Sequence, residues 1–385
     1  MSTQSIYTLP FALLCLSSLL FSASFNMLIP ELPAYISSLG GAEHKGLIIA
    51  LFTITAGISR PFSGKLTDTV GRVPIMAVGS IVCFVCGFLY PVLSSVSGFL
   101  FLRLLHGFST GFKPTATSAY IADIIPSSRW GEAMGIHGLC FSTGMAIGPA
   151  IGSAITANYS INALFYSSSI FALLSILIVM NMKETVKNKQ RFSASLLKIA
   201  PSEVIETRVL PSAWVTLLSY FSYGAMLTVV PDWGEHLGIT NKGLFFMTFT
   251  IASVAIRFVA GKASDNYGRV GVLKISLLML TVALVLVGMA ETVFGFLAAS
   301  VVYGLATGLL SPANNAWTAD LSHPDHRGKA VATMYIALEA GIGLGAFLAG
   351  LFFQDEISRV PVIFYASAGV AFLAFLYLLL RTENS

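Results

Sequence analysis

Apolar residues run along this chain in long blocks separated by short polar breaks. Windows of about 19 residues give twelve predicted helices: 9–36, 46–64, 73–95, 97–121, 131–156, 161–181, 211–234, 243–261, 272–290, 293–317, 329–353 and 360–380. About 20 apolar residues in a helix span a hydrocarbon layer roughly 30 Å thick. The first block has no basic stretch before it and no small-residue cleavage site, so it is read as a retained helix and not a signal peptide. Most breaks are very short. The exception, 182–210, holds Lys183, Lys187, Lys189, Arg191, Lys198 and Arg208 among acids and serines. It reads as a linker between two six-helix halves, 1–181 and 211–385.

Composition supports membrane burial. Hydrophobic residues make up 55% of the chain and charged residues 10%, with a mean hydropathy of +0.80. Soluble domains carry about 25% charged residues, so lipid must cover the outside. The net charge of +4 is too small to suggest a nucleic-acid partner. Its placement says more: with both termini inside, the cytosolic loops and tail hold 15 Lys and Arg and the opposite side 3, namely Lys45, Lys242 and Arg359. The positive-inside rule therefore puts both termini and the linker in the cytosol. Trp130, Trp214, Trp233 and Trp317 fall near predicted helix ends, where amphipathic rings are favoured. The cysteines, Cys15, Cys83, Cys86 and Cys140, all lie in apolar runs, which argues against a disulfide framework. Cys83 and Cys86 have no His or further Cys near them in sequence and read as small core residues, with no metal site expected.

The chain repeats itself. Gly64-Lys65-Leu66-Thr67-Asp68-Thr69-Val70-Gly71-Arg72-Val73 recurs as Gly261-Lys262-Ala263-Ser264-Asp265-Asn266-Tyr267-Gly268-Arg269-Val270, with six of ten positions identical at an offset of 197 residues. The same offset pairs Lys45-Gly46-Leu47 with Lys242-Gly243-Leu244, Gly107 with Gly304, Gly111 with Gly308, Ala122-Asp123 with Ala319-Asp320, and Gly144 and Gly148 with Gly341 and Gly345. At 198, Pro33-Ala34-Tyr35 aligns with Pro231-Asp232-Trp233. Polar and Gly landmarks held in register over this length indicate two copies of one membrane unit.

Twelve helices, two halves, a long middle loop and this duplicated segment resemble the major facilitator superfamily over essentially the whole chain. The resemblance implies an all-α membrane protein with two pseudo-symmetric six-helix bundles, a substrate near the midplane and rocking alternating access. The segment after the second helix resembles the family's loop signature. Gly64 is expected to permit close helix approach and Gly71 a tight turn, while Asp68 and Arg72 pair with opposite charges. By resemblance they form a cytosolic latch together with Gly261, Asp265, Gly268 and Arg269. Thr69 and Val73 depart from the family's bases. Gly144-x-x-x-Gly148-Pro149-x-x-Gly152 resembles the signature associated with exporters that exchange substrate for protons, with Ser153 replacing the last Gly. Small residues at this spacing also make a flat face for helix packing.

Charges inside spans are costly and mark cavities or partners. Arg103 resembles the family's Arg on the fourth helix, and Lys113 lies ten residues on, roughly 15 Å nearer the cytosol. Their repeat counterparts, Ser300 and Leu310, are uncharged, which makes both candidates for substrate or proton chemistry. His106 titrates near neutral pH in its ordinary state. Glu339, well inside the eleventh helix, suits a proton carrier. Glu31, between Pro30 and Pro33, and Asn26 complete the expected substrate and proton pathway. Each of these has an ordinary alternative as a satisfied core or surface residue.

There is no Walker-type phosphate loop, which argues against an ATP-driven pump. Gly107-Phe108-Ser109-Thr110-Gly111 fits G-x-S-x-G but lies in a predicted membrane helix, where the nucleophile elbow cannot form. The expectation is therefore no enzyme and no cofactor, but a proton-coupled exporter of a small organic solute. The alternatives are a metabolite symporter or facilitator, or a receptor that has lost transport. Expected partners are a small-molecule substrate, protons and membrane lipid, with no nucleic acid. The chain is expected as a monomer in a bacterial inner membrane.

Overall fold

The computed structural model describes residues 6–126, 129–199, 204–323 and 327–382. Among these there are thirteen α-helices and no strand: α1 Leu9–Asn26, α2 Leu32–Ser38, α3 Lys45–Thr69, α4 Arg72–Leu89, α5 Val96–Ile124, α6 Trp130–Asn158, α7 Ile161–Met180, α8 Leu210–His236, α9 Leu244–Tyr267, α10 Arg269–Gly288, α11 Val293–Leu321, α12 Arg327–Phe353 and α13 Val360–Thr382. All but α2 are long, so the twelve spans expected from the apolar blocks are present. Ten are long and apolar enough to cross a membrane on that criterion alone; α5, which carries Arg103, His106 and Lys113, is not one of them.

Local chemistry sets the helix starts. Thr8, Ser95, Ser160 and Thr292 each accept a hydrogen bond from the backbone N–H three residues on, satisfying a donor the helix leaves free. Prolines 61, 114, 149, 231 and 312 sit inside helices, which packed membrane helices tolerate. One predicted span is divided. Pro30 and Pro33 interrupt the block 9–36, so α1 stops at Asn26 and α2 forms a short separate turn. The duplicated segment is less of a loop than expected: Lys65–Thr69 continues α3, and its counterpart continues α9.

By internal contacts the chain divides into Met1–Leu28 with Thr55–Ala200, and Ile29–Ile54 with Pro201–Ser385. In the first unit α1 packs on α6 and α7, and α4 on α5 and α7. In the second, α8 packs on α12 and α13, and α10 on α11 and α13. Each pairing in one unit has its repeat counterpart in the other. The first core gathers Phe11, Leu14, Ile75, Met76, Ala116 and Tyr120 near the linker-side end.

Apolar side chains also face outward. Ile170, Leu173, Leu174, Leu177 and Met180 on α7, and Ile275, Leu278, Val282 and Leu286 on α10 with Met289 just past its end, form exposed stripes at helical spacing. Burying such a side chain is worth about 1.5–3 kcal/mol, so these faces favour an apolar surrounding over water. Trp130 and Trp214 are exposed near helix ends as expected, whereas Trp233 and Trp317 are packed inside the second unit and are not interfacial anchors.

Candidate functional site

The duplicated segment builds a charged corner. Gly71, at φ +136°, makes the turn between α3 and α4, and a Cβ there would overlap the Glu184 carboxylate. That carboxylate accepts from the backbone N–H groups of Arg72 and Val73, both at 3.1 Å, and so caps α4. Arg72 donates to Asp68 at 2.6 Å and to Asp123 at 3.0 Å. In the second copy Gly268 has φ +77° and Arg269 donates to Asp320 at 3.2 Å. Asp123 and Asp320 are themselves repeat partners, so the register already contained both arginine–aspartate pairs. Glu184 carried no signal, because it lies in the linker. Gly64 does not act as expected: nothing among the described residues lies within 4 Å of a Cβ placed there. The side chain of Asp265 and the surroundings of Gly261 lie outside the described residues.

The side chain of Asp68 is 73% exposed, so its pair with Arg72 is worth at most about 1 kcal/mol. Asp123 is better enclosed and also accepts from Thr185 Oγ1 at 2.5 Å. Asp68→Asn should leave the melting temperature nearly unchanged, while Asp123→Asn lowers it by an amount corresponding to about 1–3 kcal/mol. Equal shifts in a thermal unfolding series would contradict this geometry.

The glycines of α6 meet α1 at backbone distance. A Cβ on Gly144 would lie 2.5 Å from Leu19 O, one on Gly148 3.0 Å from Ala23 O, and one on Gly152 would overlap Met27 O. Pro149 is buried beside them. In α12, Gly341 and Gly345 stand likewise against Leu217 and Phe221 of α8.

The first unit holds two buried polar groups of residues. In one, Arg103 donates to Tyr90 Oη at 3.4 Å, Tyr90 Oη lies 3.0 Å from His106 Nδ1, and His106 Nε2 lies 3.2 Å from Cys83 Sγ. Cys83 continues to Ser24 at 3.3 Å, and Ser24 exchanges hydrogen bonds with Ser168. The expectation that Cys83 has no His partner is thus corrected: His106, distant in sequence, is brought against it because α4 packs on α5. In the other group Lys113 is held by Ser17, Ser80 and Ser175. The serines were a missed signal. Ser17 and Ser24 on α1, and Ser168 and Ser175 on α7, are each seven residues apart, which places them on one face of each apolar helix. Asn26 donates to Ser22 O at 2.8 Å on its own helix.

Glu31 and Glu339 are both buried in the second unit, at the start of α2 and in α12. Of the six pathway residues, Asn26, Arg103, His106 and Lys113 belong to one unit and Glu31 and Glu339 to the other. The second unit also has a partly open hollow of about 80 Å³ among α8, α11 and α12, where Thr216, Tyr220, Ser311, Asn314, Asn315 and Tyr335 stand beside the apolar Leu310, Met334 and Leu338. Asn314 donates to Thr216 at 2.6 Å. Hydroxyls, amides and aromatic faces without a charge suit an uncharged hydrogen-bonding group. Among the described residues no group of three His, Cys, Asp or Glu is placed to hold a metal.

The family model for the Major Facilitator Superfamily matches residues 14–240 and 212–385. Among proteins of similar sequence, an uncharacterized MFS-type transporter of Methanocaldococcus jannaschii is 24% identical, covering 90% of this chain and 92% of the relative. The quinolone resistance protein NorA of Staphylococcus aureus is 26% identical, covering 93% of each. Among solved structures, a D-xylose-proton symporter superposes with a TM-score of 0.78 at 16% identity, covering 96% of both chains.

Proposed function

This chain belongs to the major facilitator superfamily, and from that premise we propose that it exports a small organic solute in exchange for protons by alternating access. The observation that carries the proposal is its similarity, over 93% of both chains, to a protein named for quinolone resistance. The helix motif Gly144, Gly148, Pro149 and Gly152 supports the same direction by its resemblance to exporters. The moving bodies in this reading are the sequence halves 1–181 and 211–385. The Asp68–Arg72 corner and its repeat copy serve as the cytosolic latch, with both termini in the cytosol. The protein works as a monomer in the inner membrane.

Glu339 is the proposed proton carrier. A buried carboxylate must be protonated, paired or hydrogen-bonded to persist, and its repeat counterpart is Ser142, so pseudo-symmetry does not demand an acid there. Arg103, with Asn26, Glu31, His106 and Lys113, completes the proposed substrate and proton pathway. The test uses purified protein in proteoliposomes with a fluorescent quinolone as probe. An imposed pH gradient should drive accumulation, and Glu339→Gln should reduce it by about five-fold or more. Equal rates and final levels with and without the gradient would remove proton coupling. Full accumulation by the variant would remove Glu339 from its role.

A further inference from the structure

Lys113 has the setting of a binding site, yet no solute can enter it. The side chain is 1% exposed. Its amine reaches Ser17 Oγ at 2.8 Å, Ser17 O at 3.3 Å, Ser80 Oγ at 3.1 Å and Ser175 Oγ, so α1, α4 and α7 all contribute. The Phe21 ring closes another side, its centroid 4.9 Å from Nζ. Gly79 brings α4 against the α5 backbone so closely that a Cβ there would lie 2.7 Å from Lys113 Cβ. Among the described residues no carboxylate pairs with the amine.

The fold does not require this arrangement. At the matching positions of the second unit stand Leu310 for Lys113, Leu277 for Ser80 and Val215 for Ser17, all buried. At these three positions the second unit packs apolar side chains instead. A buried amine that pseudo-symmetry makes dispensable, and that meets no anion, calls for a role beyond packing.

The oxygens around it indicate which role. An ammonium offers three donors and needs acceptors. A neutral amine offers two donors and one lone pair, and needs a donor as well. Carboxylates would serve only the first form. Serine hydroxyls turn to donate or accept, so three of them with one carbonyl satisfy both. We infer that Lys113 with Ser17, Ser80 and Ser175 is a proton-binding site sealed inside the first unit, separate from Glu339, that gains and loses a proton during the transport cycle. The titratable groups facing it from neighbouring helices are Cys83 on α4 and His137 on α6. On α5 itself His106 and Arg103 lie seven and ten residues away. His137 Nε2 is 2.9 Å from Ser18 Oγ, the neighbour of Ser17, and lies on the linker-side part of α6. The inference rests on the proton-coupled reading only for its place in the cycle; the site itself can be tested without transport.

The experiment is nitrogen NMR on the full chain labelled with ¹⁵N at lysine Nζ, with Lys113→Met used to assign the resonance. The fold should accept that variant because Leu310 occupies the matching position. On stepping the bath from acid to alkaline, the Lys113 signal should move between its ammonium and amine positions. A signal that stays in one position at both extremes overturns the inference. Ser80→Ala with Ser175→Ala keeps the lysine but removes two of the turning hydroxyls, and should abolish the movement; an unchanged movement also overturns it. In the quinolone assay, Lys113→Met should lose pH-driven accumulation. Wild-type protein without such accumulation would sink the export reading while leaving the NMR result to decide the site.

Discussion

Lys45→Met should destabilise the protein by about 3–5 kcal/mol, the cost of leaving a buried charge without its partner. The Lys45 side chain is only 3% exposed, and its ammonium lies 2.8 Å from Asp232 Oδ1 and also against Asp355 Oδ1. The Phe353 ring lies beside it, with its centroid 5.1 Å away. One cation thus pairs with two carboxylates, and Asp232 Oδ2 is already buried without a hydrogen-bond partner. With the ammonium gone, Asp355, which is 47% exposed, can rehydrate; Asp232, 14% exposed, can do so far less, so most of the penalty falls there. Thermal unfolding in detergent should show a melting temperature lowered by several degrees. Lys45→Met with Asp232→Asn should recover much of the loss, because the two residues share one interaction. An unshifted single variant would mean that the cluster contributes little. Lys242, the repeat counterpart, pairs with the exposed Glu235 at 2.6 Å, and Lys242→Met should cost no more than about 1 kcal/mol.

Gly152→Ala is the second large effect, and α6 contains its own control. At Gly152 a Cβ would overlap the carbonyl of Met27, a backbone atom that cannot swing aside. α6 and α1 must then part along their crossing, losing contacts at Gly148 and Gly144 as well. Overpacking of this kind costs about 1–3 kcal/mol and more where backbone is the obstacle. Gly138 lies on the same helix with nothing within 4 Å of a Cβ, so Gly138→Ala should be neutral or stabilise by up to about 1 kcal/mol. A thermal series in which both variants behave alike would show that α6 does not meet α1 as described.

Much of the architecture was legible because hydrophobic blocks, charge placement and the repeat answer to simple forces. Blocks long enough to cross the bilayer set the twelve spans, and a repeat offset of 197 residues anticipated which helices pack in equivalent ways. The errors arose where burial depends on neighbours. Gly64 reads like Gly152 in sequence, yet among the described residues nothing lies within 4 Å of a Cβ at the first, while the second meets a backbone carbonyl. Trp233 and Trp317 read as interfacial rings and are packed inside.

The chemistry was only partly legible. Arg103, Lys113 and Glu339 stand out in any apolar block because ionised groups are rare there. Their surroundings do not, because a serine within a membrane helix is unremarkable until its face is known. Lys45 and Lys242 begin the same Lys-Gly-Leu motif, and no local feature marks the first as buried between two aspartates and the second as paired with one exposed glutamate. The sequence by itself determined the helices, the duplication and the charges that need explanation, since each follows from local composition and periodicity. Only the tertiary structure decided that Lys113 is held by hydroxyls and Lys45 by carboxylates, because a buried charge is defined by atoms supplied by other helices.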